Sequence, residues 1–209
     1  MTSIGEMTAQ AATLLGINHG TMAKAVRTLR DAGLLSTGAR GVNAPHMTPR
    51  DGAVLLLAAL ATERPTYAAK AATRLGSLKG NLKLDATGSP LAAGTLLDEI
   101  GLLLHRVSQL DASELDIAQR RCGLTIRVEI DEASLDIEDG STILFDAHGA
   151  WDAALRINTG NELPGDDLVL QKVKRLPRPA ILTDRRLSGD AIVSFAQGFR
   201  DTAEKKAAA

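Results

Sequence analysis

The chain has 209 residues, 44% of them hydrophobic and 23% charged, the makeup of a globular protein with room for two small cores. Its net charge of -1 conceals an asymmetry: residues 1–84 carry ten Lys and Arg against four Asp and Glu, and residues 85–209 carry fourteen against twenty-one, so the two halves either attract one another or meet different partners. Aromatic residues make up only 2%, too few rings for stacking exposed bases, and the lone Cys122 with four scattered histidines supplies neither a disulfide nor a zinc ligand set, so no metal or cofactor is expected.

The first informative stretch is "QAATLLGINHGTMAKAVRTLRDAGLL", residues 10–35. Ala12 and Gly16 lie four apart, Ile17 follows the glycine, and Met22, Ala25, Val26 and Leu29 recur at helical spacing. A small residue in a first helix lets a second cross closely, and a glycine supplies the left-handed turn between them. With Met22 and Val26 turned inward at about 100° per residue, Gly20, Lys24, Arg27 and Asp31 face outward, flanked by Thr21 and Thr28. Lys24 and Arg27 are then placed for guanine edges or phosphates, and Thr21 for either. Asn18 and His19 stand at the helix N-terminus, where free N–H groups favour a phosphate.

Farther along, "HMTPRDGAVLLLAALAT" offers Thr48 as N-cap, Pro49 at the first helical position and Asp51 at the third, a capping box with Asp in place of the usual Glu or Gln. The helix from Pro49 to about Thr62 is apolar almost all round and is expected to be buried, and Pro65 opens a further short helix to Leu75. "GSLKGNLKLDATGSP", residues 76–90, reads as a linker or loop. Leu96, Leu97, Ile100, Leu103, Leu104 and Val107 then form the stripe of an amphipathic helix over 94–110, which packs on its own core or on copies of itself. "ASELDIAQRRCG" follows as a capped helix.

From "LTIRVEI" the period becomes two, with Leu124, Ile126, Val128 and Ile130 on one face. Strands are also expected at Leu135–Ile137, Thr142–Phe145 and Leu168–Val173, with "EDGS" as a hairpin turn. The last helix starts near Ser188 and buries Ile192, Phe195, Ala196 and Phe199.

Through "TAQAATLLGINHGTMAKAVRTL" the chain resembles the helix-turn-helix superfamily of DNA-binding proteins, and "DAGLLSTGARGVNAPHMT" is similar to the loop-and-wing end of its winged members, though without alternating strand residues. The resemblance implies a recognition helix from about Thr21 to Ala32 and a contact from Arg40 to backbone or minor groove. A groove-facing surface with Lys24, Arg27, Arg30, Arg40 and Arg50 would make several counterion-releasing contacts with double-stranded DNA. The fold expected is α+β: an all-α helix-turn-helix domain over 1–75, winged or not, a linker over 76–93, a helical connector and oligomerisation region over 94–123, and a C-terminal domain over 124–209 with a small antiparallel sheet and a terminal helix.

No phosphate loop, nucleophile elbow or paired carboxylates emerge, so no enzymatic activity is expected. Asp136, Glu138 and Asp139 fall at a hairpin turn, and His105 reads as a surface histidine. The N-terminus has no basic segment before an apolar run and the longest apolar run is far too short to span a bilayer, so a cytoplasmic protein without membrane contact is expected. Three roles stay open. One is a sequence-specific transcriptional regulator of phage or prophage type, acting as a homo-oligomer. Another resembles the small terminase subunits of tailed phages, which oligomerise and recruit a motor subunit, with the acidic C-terminal domain as the protein-binding part. The third is a helical adaptor that does not bind DNA.

Overall fold

The computed structural model describes residues 3–36, 47–84, 90–91, 93–128, 131–147 and 184–207, with isolated positions at Ala153, Leu163, Pro164, Leu168, Val169 and Gln171. Its elements in chain order are helices α1 (Ile4–Leu14), α2 (His19–Asp31) and α3 (Pro49–Ala61), a 3-10 turn (Pro65–Tyr67), α4 (Ala68–Gly76), strands β1 (Lys79–Leu84) and β2 (Pro90–Leu91), helices α5 (Leu96–Val107) and α6 (Ala112–Arg121), strands β3 (Gly123–Arg127), β4 (Glu132–Asp136), β5 (Thr142–Asp146) and β6 (Asp184–Ser188), and the terminal helix α7 (Gly189–Ala207). The fold is α+β, with one antiparallel sheet in the order β2-β1-β5-β4-β3-β6.

Helix α3 occupies the centre. Thr48 and Asp51 close the expected capping box, and every residue from Asp51 to Ala61 is buried. The Asp51 carboxylate escapes an isolated burial because it accepts from the Ser36 N–H (2.8 Å), the Thr48 N–H (2.8 Å) and the Thr48 hydroxyl (2.7 Å). Around α3 pack α5, α4, α2 and the terminal helix, whose Phe199 ring abuts Gly52. The stripe of α5 packs here: Leu96, Ile100, Leu103, Leu104 and Val107 are buried within the chain, while Leu102 on the outer face is exposed.

Residues 76–93, expected as a linker, instead hold β1 and β2. β1 pairs with β5 from Lys79↔Asp146 to Leu84↔Thr142, and Leu78 is buried. The glycine and lysine content of "KGNLKL" hid a strand whose hydrogen bonds come from a partner 58 to 67 residues away. β6 was likewise not expected, since "DRRLS" buries only Leu187. In the opposite sense, Leu168, Val169 and Gln171 have helical backbone where a strand was expected.

Of the strand expected from Leu124 to Ile130, β3 ends at Arg127, Val128 is half-buried in the turn that follows, and Ile130 lies outside the described residues. Leu124, Ile126, Leu135, Ile143 and Phe145 are buried on one face of the sheet, and Ile137, Gly140 (φ +87°) and Ser141 close the hairpin with an Ile137 N–H to Ser141 carbonyl bond of 2.9 Å. Ile192, Phe195, Ala196 and Phe199 are all buried in α7. A single cluster of buried residues runs from Met7 to Phe199, crossing the boundaries expected at 75 and 123.

The junction between α6 and α7 depends on Gly189. A Cβ there would collide with the backbone carbonyl oxygens of Gln119, Ala118 and Cys122, which end α6, and backbone cannot rotate away as a side chain can. Gly189→Ala is expected to cost roughly 2–3 kcal/mol, seen as a fall of about 5–10 °C in the thermal midpoint. In contrast, Gly5→Ala, whose Cβ would meet only Ser3 Oγ at 3.7 Å, should hold or raise the midpoint through its better helix propensity.

Candidate nucleic-acid interface

The α1–α2 pair is built by local rules. Ser3 and Glu6 form a capping box at the start of α1, and Met7, Ala11 and Ala12 turn inward. The chain then reverses over Leu15 to Asn18 with Gly16 at φ +63°, and the Ile17 N–H closes the helix end on the Ala12 carbonyl (2.9 Å). A non-glycine residue would be strained there, and Ile17 packs against the core directly after it. The Asn18 side chain accepts from the Gly20 N–H at 2.9 Å and so caps α2. At the other end, Gly33 (φ +69°) donates to the Arg30 carbonyl and Leu34 to the Leu29 carbonyl. Helix α2 is thus fixed by a left-handed glycine on each side.

Its inner face buries Met22, Ala25, Val26 and Leu29, as the spacing predicts, and its outer face exposes His19, Gly20, Lys24, Arg27, Arg30 and Asp31. Thr21 and Thr28 are half-buried on the flank. The Thr28 hydroxyl is turned back to the Lys24 carbonyl (3.1 Å). Of the remaining expected contacts, Arg40 and the wing segment lie outside the described residues. Arg50 is exposed but engaged, its guanidinium on Asp98 at 2.6 Å, joining α3 to the first turn of α5. The Asp98 carboxyl is held below its usual range first by the Thr95 hydroxyl and then by Arg50. Arg50 therefore belongs to a helix–helix ion pair, with its charge already met.

The pairing of the arginines is the feature that sequence reasoning missed. Arg50, Arg74, Arg106, Arg120, Arg127, Arg185 and Arg186 each meet a carboxylate, and Arg121 and Arg200 donate to carbonyls of Glu138 and Leu110. Among the described arginines only Arg27, Arg30 and Arg64 have side chains without such a partner, and the exposed Lys24, Lys70 and Lys79 have none either. Apart from Lys79 on β1, these unmatched charges fall on α2 and on the elements packed against it. The front-half excess of positive charge signals them in sum, but not which guanidinium is left over.

A groove of about 990 Å³ separates the α1–α2 turn from the β6 edge, with Ile17, Thr21, Leu60 and Leu187 in its wall and Arg185 reaching Glu63 across it at 3.5 Å. Cys122 is buried and its thiol is pushed up to about 12, by burial first and by Glu138 second, which keeps it neutral and unreactive. His105 is exposed, and the described residues contain no cluster of His, Cys, Asp and Glu able to hold a metal ion.

No family model, curated protein or solved structure matches the chain. The exposed charges of α2 are arranged on a helix fixed at both of its ends.

That arrangement rests on the Asn18 cap. Asn18→Ala is expected to lower stability by about 1 kcal/mol. The loss should appear as faster amide exchange in the first turn of α2, with exchange in α3 unchanged.

Proposed function

We propose that the protein binds double-stranded DNA by laying the outer face of α2 in the major groove, and that it acts as a non-enzymatic, sequence-reading regulator. The observation that carries this is the set of three unpaired cations, Lys24, Arg27 and Arg30, exposed on one helix whose opposite face is locked in the core. An α-helix with side chains is about 10–12 Å across, which suits a major groove about 12 Å wide. A long cationic side chain there gains by releasing counterions from the duplex, and a guanidinium can also read guanine through two parallel hydrogen bonds.

The order of residues along α2 fits insertion by its N-terminal half. His19, Thr21 and Lys24 come first, Arg27 and Arg30 follow, and Asp31 stands at the far end, where it can lie beyond the phosphates. Asn18 already spends its carbonyl oxygen on the cap, so its amide N–H groups are what it can offer a phosphate.

A DNA-packaging role and a regulator acting as a homo-oligomer both need a contact between copies, and the buried stripe of α5 is committed to the chain's own core in either case. The regulator reading is taken because it asks only for the exposed cations of α2, which the chain supplies. On this reading the protein works in a reducing cytoplasm, in keeping with its one buried thiol.

The test is duplex binding by the Lys24→Ala/Arg27→Ala double variant at near-physiological salt. Both side chains are exposed, so the thermal midpoint should hold while affinity falls by tenfold or more, about 1.4 kcal/mol. Undiminished binding by a folded double variant would overturn the proposal. Sequencing of genomic fragments retained by the wild-type protein, with its mass in solution measured alongside, then gives the site and the number of reading heads upon it.

A further inference from the structure

We propose that the duplex contact continues past α2 onto the 3-10 turn and the start of α4, where Arg64 and Lys70 anchor the DNA backbone. This rests on α2 being the reading helix. Arg64 and Lys70 are exposed and have no side-chain partner, in a molecule whose other described arginines outside α2 are all engaged. The acid beside Arg64 does not neutralise it, because Glu63 is turned to Arg185 of β6. A surface cation gains nothing in folding from lacking a counter-charge, and the three exceptions among the arginines sit on two neighbouring elements.

The placement brings the turn that carries Arg64 against α2, with Lys70 exposed in the first turn of the helix that follows. The 3-10 turn packs directly on α2, and its Pro65, with Ala68, shares a wall with Thr21 and Ala25. Thr21 and Ala25 therefore mark the edge of α2 that meets the turn. At about 100° per residue, Lys24 is the next outward position from Thr21 and Thr28 on that edge. Lys24 thus stands between the remaining α2 cations and the turn. Tyr67, on the same turn, is 52% exposed and adds a hydroxyl donor suited to a phosphate oxygen.

Elements that flank a helix lying in the groove meet the sugar-phosphate wall and not the base edges. Arg64 and Lys70 should therefore contribute affinity without sequence preference, in contrast to Arg27. The two roles separate in the salt dependence of binding, where each phosphate contact contributes about 0.9 to the slope of log affinity against log salt.

The experiment measures fluorescence anisotropy of two labelled duplexes across a salt series, one carrying the genomic fragment most enriched by the wild-type protein and one of mixed sequence. Wild type is compared with Arg64→Ala/Lys70→Ala, with Lys24→Ala/Arg27→Ala, and with Arg120→Ala, which removes a cation from α6. For Arg64→Ala/Lys70→Ala the expected result is a slope shallower by about 1.8, the same loss on both duplexes, and an unchanged thermal midpoint. Arg120→Ala should leave the slope as it was.

An unchanged slope for Arg64→Ala/Lys70→Ala, alongside a reduced one for Lys24→Ala/Arg27→Ala, would overturn this inference and leave the α2 reading standing. A loss confined to the enriched duplex would overturn it too, since the pair would then be reading bases. An equal loss from Arg120→Ala would reduce it to an effect of total charge. If Lys24→Ala/Arg27→Ala changes nothing, the α2 reading itself fails and this inference falls with it.

Discussion

A thirteen-residue helix that is apolar on all sides has to be surrounded, and the rest of this molecule follows from that requirement. Val54, Leu55, Leu56, Leu57 and Leu60 are at most 6% exposed, and each contributes on the order of 1.5–3 kcal/mol when fully buried. No single partner could cover them. α4 and α5 pack on the same helix, α2 adds to the cover, and α7 returns from the end of the chain to close the cage over Gly52. The helices that begin the chain and the helix that ends the described part therefore share one core. The Gln10 side chain donates to the Ser194 carbonyl at 2.6 Å, tying α1 directly to α7.

That shared core sets the mechanical character of the DNA-reading face proposed here. α2 leans on α1, α4 and the 3-10 turn, and α1 leans on α7. A side chain on α2 is thus held in place by elements from both ends of the sequence, which lowers the ordering cost of binding compared with a head on a flexible tether. The covalent distance between the reading helix and the sheet is long. Their packing distance is short, with the α1–α2 turn facing β6 across a single groove.

The helices were legible because each obeys a local rule. Thr48 and Asp51 cap α3, Gly16 breaks the chain between α1 and α2, and the stripes of α2, α5 and α7 bury the residues that their spacing selects. The sheet was only half legible. β3, β4 and β5 alternate cleanly, but β1 and β6 are sheet strands by virtue of partners far away in sequence, and "KGNLKL" and "DRRLS" carry no periodic signal strong enough to declare them. The candidate site divided in the same way. Lys24 and Arg27 could be placed on an outer face from the helical period alone. The capture of Arg50 by Asp98 could not, because it joins residues forty-eight apart whose helices meet only in the folded chain.

The same distinction explains why net charge alone is a poor guide to this protein. Most of its described arginines are internal cross-links: Arg127 joins β3 to β4 and β6 through Glu132 and Asp184, and Arg106 reaches the hairpin through Glu138. Exposed pairs of this kind add little to stability, about 0–1 kcal/mol each, but they do cancel the field that each cation would cast into solvent. Subtracting them leaves a small positive patch on a chain of nearly zero net charge. On the proposed reading, a duplex would respond to that local remainder within about 8–10 Å, roughly the screening length at physiological salt, so the acidic excess of residues 85–209 would not oppose contact at α2 from a distance.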